Sequence, residues 1–409
     1  MTNRPVLTAT LLLLFCASSF AQTTGEWPQW RGHNRDGISK ETGLLKQWPE
    51  GGPPLAWKAT GAGTGYSSMS VSKGRIFTMG LRGDREFIIA FDAATGREAW
   101  ATPHGTAYRD SRGDGPRGTP TIDGNKGYAL GANGDLSSFD STTGRLLWTM
   151  NVLQKFGGSN INWGISESPL VLGDKLLINA GGPGASVVAL NKKDGSLIWK
   201  SQSDSAGYSS AITLEAAGVN QVVFFTSKRA MGLDLRDGRL LWEYRRPAND
   251  VANVATPIAR ANRVFISSDY GVGGGLVEIK NSEGSVRADE VYFTREMRNH
   301  HSSSVLVGDH LYGFSSAVLT AMKFDSGEVV WKDRSVGKGS LVFADGHLYC
   351  FSENGVVGLV EATPAGYREK GRFTIKQESL PTWAHPVVAG GRLYIRDQNT
   401  IYAFDVKAK

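Results

Sequence analysis

A turn followed by a tryptophan recurs along the chain, and this repeat constrains the fold more than any other feature. In each clear copy an Asp or Asn opens the turn, a Gly ends it, and a Trp stands four residues after the Gly. These copies are Trp100 after the turn at 92–96, Trp148 after 140–144, Trp199 after 191–195 and Trp242 after 234–238. Because Asp or Asn can cap a turn that Gly closes with a positive φ, we predict that these residues are structural.

Weaker copies extend the series to eight. Trp331 follows a turn at 323–327 that has lost its Asp, Phe293 and Phe373 stand where two further tryptophans are expected, and Trp57 begins the series. The eight aromatic positions are 38 to 51 residues apart, which is typical of propeller blades. Each ring is expected to be buried against the neighbouring blade, because a single repeat has no core of its own.

The two ends of the chain complement each other. Residues 55–57 form a fourth strand without the first three, and the C-terminus supplies three strands, ending at 401–405, without a fourth. Joining them leaves no exposed sheet edge. We therefore predict an all-β fold, an eight-bladed β-propeller of four-stranded antiparallel blades in which an N-terminal strand joins the C-terminal blade. The predicted domains are a signal peptide at 1–21, an N-terminal strap at 22–54 lying over the propeller, and the propeller at 55–409.

The N-terminus has the pattern of a secretory signal. Arg4 precedes an apolar stretch at 6–17, and Ser19 and Ala21 supply small residues before a cleavage site that would make Gln22 the mature start. The stretch is too short for a transmembrane segment. Cys16 follows the bulky Phe15, which disfavours lipid attachment. We expect a periplasmic or secreted monomer.

Charge and cysteine content exclude further classes of protein. The net charge is +6, but the basic residues are scattered among 39 acidic ones, so nucleic-acid binding is not expected. Without the signal peptide, Cys350 is the single cysteine. It cannot form an internal disulfide and is predicted to be a small buried hydrophobe.

The repeat at 90–100, the opening Trp27-Pro28-Gln29-Trp30-Arg31-Gly32 with Arg35-Asp36-Gly37, and Gly65-Tyr66-Ser67-Ser68 resemble exported bacterial propellers with pyrroloquinoline-quinone-like repeats, in the quinoprotein alcohol dehydrogenase-like superfamily. The resemblance covers essentially the whole mature chain. It implies the propeller fold, but the superfamily contains both dehydrogenases and non-enzymatic scaffolds.

Two groups of relatives set the functional alternatives. The resemblance to quinoprotein dehydrogenases implies pyrroloquinoline quinone and calcium near the axis, an aspartate base and, in many members, a disulfide between adjacent cysteines, which this chain lacks. The resemblance to the barrel-assembly propeller, a lipoprotein, implies a scaffold that holds partners. We interpret the chain as a binding or scaffold protein for an envelope protein or a small anionic or aromatic ligand. The alternative is a quinone-dependent oxidoreductase.

The repeat also indicates where a site would lie. The innermost strands of all blades run in one direction, so equivalent positions at their starts form a ring around one mouth of the axial channel. Two positions before the small residue that opens each of these strands stand Tyr66, Arg117, Ser166, Tyr208, Val254, His301, Lys338 and Trp383. Aromatic faces with Arg and Lys suit a flat anionic ligand. The competing interpretation is a wet channel mouth whose side chains satisfy one another.

Three further residues complete the predicted site. Glu167 interrupts the next column and His385 the small-residue column, while Trp163 lies in a long loop at 151–166 that leads to the same mouth. Glu167 with Asn160 or Asn162 could offer oxygen ligands to calcium. His300, next to His301, would point to the opposite face if both lie on a strand. The pattern assigns no catalytic residue.

Overall fold

The computed structural model describes residues 25–378 and 381–408, which contain 33 strands and one short helix. The predicted signal peptide at 1–21, its cleavage before Gln22 and the lipidation question at Cys16 lie outside these residues and stay predictions. Cys350 lies within them and is free and buried, and burial raises the pKa of its thiol. No helix of the described residues is long and apolar enough to cross a membrane.

The strands form eight antiparallel meanders, which confirms the predicted all-β, eight-bladed propeller. The first four blades are β3–β6 (Ser70–Ser72, Arg75–Arg82, Arg85–Asp92, Glu98–Thr106), β7–β10 (Thr121–Asp123, Lys126–Leu130, Asp135–Asp140, Leu146–Asn151), β11–β14 (Leu170–Leu172, Lys175–Gly182, Ala185–Asn191, Leu197–Ser201) and β15–β18 (Ile212–Ala216, Val219–Phe225, Ala230–Asp234, Leu240–Tyr244). The helix α1 (Val152–Phe156) follows the second blade.

The next three blades are β19–β22 (Ile258–Arg260, Arg263–Ser268, Gly273–Ser282, Ser285–Thr294), β23–β26 (Val305–Val307, His310–Ser315, Val318–Lys323, Val329–Asp333) and β27–β30 (Gly339–Ala344, His347–Ser352, Val356–Glu361, Glu369–Thr374). The eighth combines β31–β33 (Val387–Ala389, Arg392–Asp397, Thr400–Asp405) with the N-terminal strand β2 (Leu55–Thr60). In this blade Trp57 pairs with Ala403 and Ala59 with Ile401. The predicted closure by an N-terminal strand is confirmed.

The repeated turns have the predicted structural role. Asp92 accepts hydrogen bonds from the backbone N–H and the hydroxyl of Thr95 at 2.8 and 2.7 Å. Gly96 ends this turn with φ 72°, and a Cβ there would lie 2.6 Å from the ring of Trp57 in the preceding blade. Glycine is therefore required both by the backbone and by the docked ring.

Four of the docked tryptophans also bind the next blade through a hydrogen bond. The indole N–H donates to a carbonyl of the following blade in four cases, which are Trp57 to Ala93 at 3.1 Å, Trp148 to Lys192 at 3.3 Å, Trp199 to Leu235 at 3.2 Å and Trp331 to Thr363 at 2.8 Å. These contacts join successive blades around the ring.

The two phenylalanine positions differ from each other. The prediction for Phe293 is wrong. The docked tryptophans follow a bulge in the outer strand, as Trp100 does, and in β22 the residue after this bulge is Tyr292, which pairs with Leu276. Its ring lies against Gly327, and its hydroxyl donates to Phe324 O at 2.8 Å. Phe373 does dock, on Gly52, where a Cβ would lie 2.5 Å from its ring.

We expect Trp199→Ala to lower the free energy of unfolding by about 3–5 kcal/mol, the usual cost of deleting a large buried aromatic. The side chain is 7% exposed and bridges two blades. Leu197→Ala, two residues earlier on the same strand and 44% exposed, is the matched control. Urea unfolding measures both. A loss below about 1 kcal/mol for Trp199→Ala would mean that ring docking contributes little to the fold.

The strap does more than lie over the propeller. Residues 27–39, here called the crossbar, contact the innermost strand, or the residues leading into it, of every blade. These contacts are Trp27 with Val71, Pro28 with Ile122, Arg35 with Ser168 and Ala211, Trp30 with Thr256 and His385, Arg31 with Ser304, and the short strand β1 (Ile38–Ser39) with β27. The crossbar therefore spans the axial channel.

Two arginines fix the crossbar. Arg31 and Arg35 are buried, and both adopt left-handed backbone angles, with φ 59° and 58°. Arg31 donates to Ser304 O at 2.6 Å, while Arg35 donates to Ala211 O at 2.7 Å and to Ser168 O at 2.8 Å. Their partners lie on different blades, so the crossbar connects separate parts of the ring.

Candidate functional site

All eight blades contribute to one cavity, here called the axial cavity, at the end of the channel where the innermost strands begin. Its volume is about 370 Å³, within the range of roughly 300–1,000 Å³ of ligand pockets. The residues of the predicted column all line it, one from each blade: Tyr66, Arg117, Ser166, Tyr208, Val254, His301, Lys338 and Trp383. The repeat therefore brings together residues that are up to 317 positions apart in the sequence.

Of the nine predicted site residues, eight line the cavity, including Trp163 from its loop and His385 from the small-residue column. Whether they bind a ligand stays a prediction. Other lining residues were not predicted to belong to the site, and these are Trp30, Arg112, Ser210, Ala252, Tyr270, His300 and Ser303. Trp30 comes from the crossbar, and Tyr270 from the turn between β20 and β21, so neither occupies a repeated position that could have been aligned.

The prediction that Glu167 belongs to this site is wrong. Its side chain is buried outside the cavity, and one carboxyl oxygen accepts a hydrogen bond from the backbone N–H of Asn179 at 2.7 Å. Adjacent residues of an extended chain point to opposite sides. Ser166, the residue before it, lines the cavity, whereas Glu167 does not. The column of Glu167 is buried in other blades as well, as at Ser67 and Ser209.

The crossbar closes the inner side of the cavity. Trp30 and His385 form this floor, with ring centroids 4.5 Å apart. The indole of Trp30 donates to the hydroxyl of Thr256 at 2.9 Å, and His385 Nε2 lies 3.1 Å from His301 O. A ligand would therefore enter from the outer mouth of the channel and stop at Trp30.

Aromatic rings form much of the wall. Trp383 lies 4.7 Å from Tyr66 and 5.9 Å from His301 between ring centroids, and the His301 ring is nearly parallel to it, at 28°. On the other side Trp163 lies 5.9 Å from Tyr208. Such faces can stack on a flat ligand group.

Tyr270 lines the cavity from the turn between β20 and β21. Its backbone φ is 57°, its side chain is 41% exposed, and its ring lies 5.2 Å from that of His300. Ser316 and Gln398 have the same left-handed geometry in the corresponding turns of the sixth and eighth blades, so this conformation belongs to the hairpin turn. The turn brings an exposed aromatic ring to the cavity.

Three cations line the cavity, and they differ in their freedom. Arg117 is held by the carbonyls of Gly113 at 2.6 Å, Trp163 at 2.8 Å and Gly115, and its guanidinium lies 4.4 Å from the ring of Tyr108. Burial lowers its pKa. Arg117 is therefore a structural part of the mouth and also a source of positive charge.

The side chains of the other two cations, Lys338 and Arg112, are less constrained than that of Arg117. Lys338 Nζ lies 3.4 Å from the Glu353 carboxylate, which also accepts a hydrogen bond from the indole of Trp383 at 3.0 Å. Arg112 is exposed, and its side chain makes no ion pair with the residues that the structure describes. No carboxylate lines the cavity within residues 25–378 and 381–408. The charged side chains that line the cavity are therefore all cationic.

The residues of the cavity do not fit a calcium-bound quinone. Calcium takes six to eight oxygen ligands, largely carboxylates and carbonyls, whereas the lining supplies cations and histidines. Burial raises the pKa of Glu167 to about 8, and this carboxyl lies outside the cavity. Asn160 Nδ2 is bound to Ala132 O at 3.0 Å. The described residues also hold no group of three or more His, Cys, Asp or Glu placed to bind a metal.

Sequence comparison identifies relatives. The family profile described as "Outer membrane protein assembly factor BamB" matches residues 54–162 and 84–333. The outer membrane protein assembly factor BamB of Yersinia pestis is 24% identical over 332 residues, which are 70% of this chain and 83% of that protein.

Structural comparison agrees on the fold. The crystal structure of BamB from Moraxella catarrhalis has a TM-score of 0.64 and 15% identity, covering 86% of this chain and 99% of that one. The quinohemoprotein alcohol dehydrogenase from Comamonas testosteroni has a TM-score of 0.51 and 14% identity, covering 94% and 81%. At these identities the likeness concerns the propeller alone.

Proposed function

Because the chain belongs to the family of the outer membrane protein assembly factor BamB, we propose that it is a binding or scaffold protein of the bacterial cell envelope. Its partner is an envelope protein, or a small anionic or aromatic ligand, and it binds at the axial cavity. The predicted export signal and the name of the Yersinia pestis relative support the envelope location. The proposal requires no cofactor.

One observation carries this proposal. Every blade places one side chain at the same mouth, and the resulting set combines stacking rings with Arg112, Arg117 and Lys338 but lacks a carboxylate among the described lining residues. Rings and cations bind flat or anionic groups strongly. Blade packing does not need them at this position, since the docked aromatics of the outer strands already join the blades.

The alternative, a quinone-dependent oxidoreductase, receives less support from the site. Such an enzyme would need calcium ligands and a base beside the cofactor, and the one carboxyl that the sequence offered, Glu167, lies outside the cavity. The flat, positively charged lining could attract the carboxylates of the free quinone. Attraction alone would not provide oxidation.

Site-specific photocrosslinking tests the proposal. A photoreactive phenylalanine derivative replaces Tyr270 at the rim or, as the matched control, Lys193, an exposed residue in the turn between β13 and β14 at the opposite face of the propeller. Irradiation of intact cells should give a discrete adduct with an envelope protein from position 270 and not from 193. The yield should fall in an Arg112→Ala Lys338→Met background. Adducts that arise equally from both faces would contradict the proposal.

A second arm addresses the alternative. The purified full-length protein is mixed with pyrroloquinoline quinone and calcium, and dye reduction is followed with alcohols as substrates. We expect no reduction above the protein-free mixture. Turnover that depends on both quinone and calcium would establish the oxidoreductase instead.

A further inference from the structure

His301 is the most unusual group in the axial cavity. It lines the cavity, yet both of its ring nitrogens are buried without a hydrogen-bond partner among the described residues, and Nδ1 of His300 is in the same state. A neutral imidazole carries one donor and one acceptor. Buried polar atoms without partners are rare and costly in native proteins. The ring nitrogens of these two adjacent histidines can therefore form further hydrogen bonds.

The groups around His301 explain why it remains neutral. Lys338, His300 and His385 face it, and Trp383 stacks on its ring. Burial, followed by repulsion from Lys338, His385 and His300, holds the pKa of His301 well below its usual value. The pKa of His300 is lowered by burial and by Lys338, and that of His385 falls to about 3, chiefly through burial and then through Arg31.

Two carboxylates lie nearby without entering the cavity. Glu353 is engaged by Lys338 and by the indole of Trp383. Asp269 accepts hydrogen bonds from the hydroxyl of Ser316 at 3.0 Å. Neither lines the cavity, so neither is placed as a partner for a protonated His301. An anion that enters from outside would be the first negative charge in direct contact with it.

We propose that the axial cavity is a proton-linked site for an aromatic carboxylate, in which His301 takes up one proton from solvent as the carboxylate enters between His301 and Lys338. This inference rests on the proposed function, since it names the chemistry that the bound ligand or partner presents. The aromatic part stacks on Trp383 and reaches toward Trp30, while the carboxylate accepts hydrogen bonds from Lys338 and from the imidazolium. The incoming charge offsets the repulsion that keeps His301 neutral.

The linkage has a definite sign. The carboxylate raises the pKa of His301 in the complex above that in the free protein, so binding takes up a proton and is favoured as pH falls. Affinity then weakens by about tenfold for each pH unit between the two pKa values, if one proton is taken up. It becomes independent of pH above the pKa of the complex.

Calorimetry with a matched pair of probes tests this proposal. 1-Naphthoate is compared with 1-naphthalenemethanol, which keeps the ring system and lacks the charge, using the full-length protein at pH 5.5 and 7.5. We expect naphthoate to bind about tenfold or more tightly at pH 5.5, with proton uptake visible as a dependence of the binding heat on the buffer. The alcohol should show no pH dependence. Naphthoate that fails to bind, or that binds equally at both pH values, would overturn the proposal.

A variant tests whether His301 is the residue that takes up the proton. His301→Gln cannot be protonated, so the ratio of its naphthoate affinities at pH 5.5 and pH 7.5 should fall to about one. His310→Gln, on β24 and outside the cavity, is the control and should behave like the wild type. Should His301→Gln fold poorly, NMR of the wild type with labelled histidine gives the answer, since naphthoate at pH 6 should shift the His301 signals to those of an imidazolium. Unshifted signals would overturn the assignment. If ligand affinity does not depend on pH but position 270 still crosslinks to an envelope protein, the proton linkage is wrong and the proposed function is retained.

Discussion

Deleting residues 50–60 should abolish the cooperative unfolding of the propeller and cause aggregation. The deletion removes β2, which pairs with β33, and it removes Trp57, whose ring docks on Gly96 of the first blade. It also removes Gly52, on which Phe373 docks. The eighth blade would lose its outer strand and expose the edge of β33 to other chains. Domains of this kind are stable by only about 5–15 kcal/mol, so the loss approaches the whole stability.

The control keeps the length of the chain. Replacing residues 55–60 by six Gly and Ser residues removes the strand but leaves the connection to the crossbar, and should also prevent cooperative unfolding. Leu55→Ser, at a side chain that is 51% exposed, should unfold like the wild type. Thermal unfolding with size-exclusion chromatography measures all three. A deletion protein that remains monomeric and unfolds sharply at the wild-type midpoint temperature would contradict closure of the propeller by β2.

Arg396→Met should cost more than about 4 kcal/mol of stability. The Arg396 side chain is fully buried. It donates hydrogen bonds to six acceptors where the eighth blade meets the first. These acceptors are the carbonyls of Ala62, Gly63, Ser67, Met79 and Gln398 and the hydroxyl of Thr78. Methionine fills similar space but leaves these buried groups unpaired, at about 1–3 kcal/mol for each one that water cannot reach.

Two further variants show whether the hydrogen bonds are responsible. Arg396→Lys keeps a cation but cannot reproduce the planar five-donor geometry, so it should lie between the wild type and Arg396→Met. Arg97→Met, at an exposed arginine in the turn after β5, should change stability by less than about 0.5 kcal/mol. Burial lowers the pKa of Arg396 to about 9. If Arg396→Met lowers the free energy of unfolding in urea only slightly, water replaces the guanidinium between the eighth and first blades.

The repeat allowed both the fold and most of the site to be predicted. Once eight turn-plus-aromatic units are aligned, equivalent positions must lie on a ring, and the ring brings Tyr66, Arg117, His301, Lys338 and Trp383 to one mouth. The architecture itself imposes this proximity.

Residues outside the repeat could not be placed in this way. The crossbar has no equivalent among the blades, so nothing in the sequence indicated that Trp30 forms the floor of the cavity or that Arg31 and Arg35 connect blades across the channel. Local backbone geometry caused the other errors. The long β21–β22 hairpin lacks the repeated turn, so the sequence did not show that its docking position falls at Tyr292 and not at Phe293. The alternation of the chain turned Glu167 away from the mouth.

The place of His300 in the cavity could not be predicted from the sequence either. Placing His300 and His301 on a strand would have separated them, but both precede β23, in irregular backbone, and their rings lie 5.8 Å apart in the same cavity. The pairing of two neutral histidines with Lys338, on which the proton-linked site depends, therefore became visible only in the structure.

The affinity of the crosslinked partner for cavity variants tests the central claim most directly. Arg112→Ala, Lys338→Met and Trp383→Ala change the lining without removing the carbonyl contacts that make Arg117 structural. With the partner purified, equilibrium binding should weaken by about 1–3 kcal/mol in each cation variant, as expected for a lost charged hydrogen bond. Trp383→Ala should weaken binding as well, with a larger loss of stability. Unchanged affinity in all three variants would contradict the claim that the axial cavity is the binding surface.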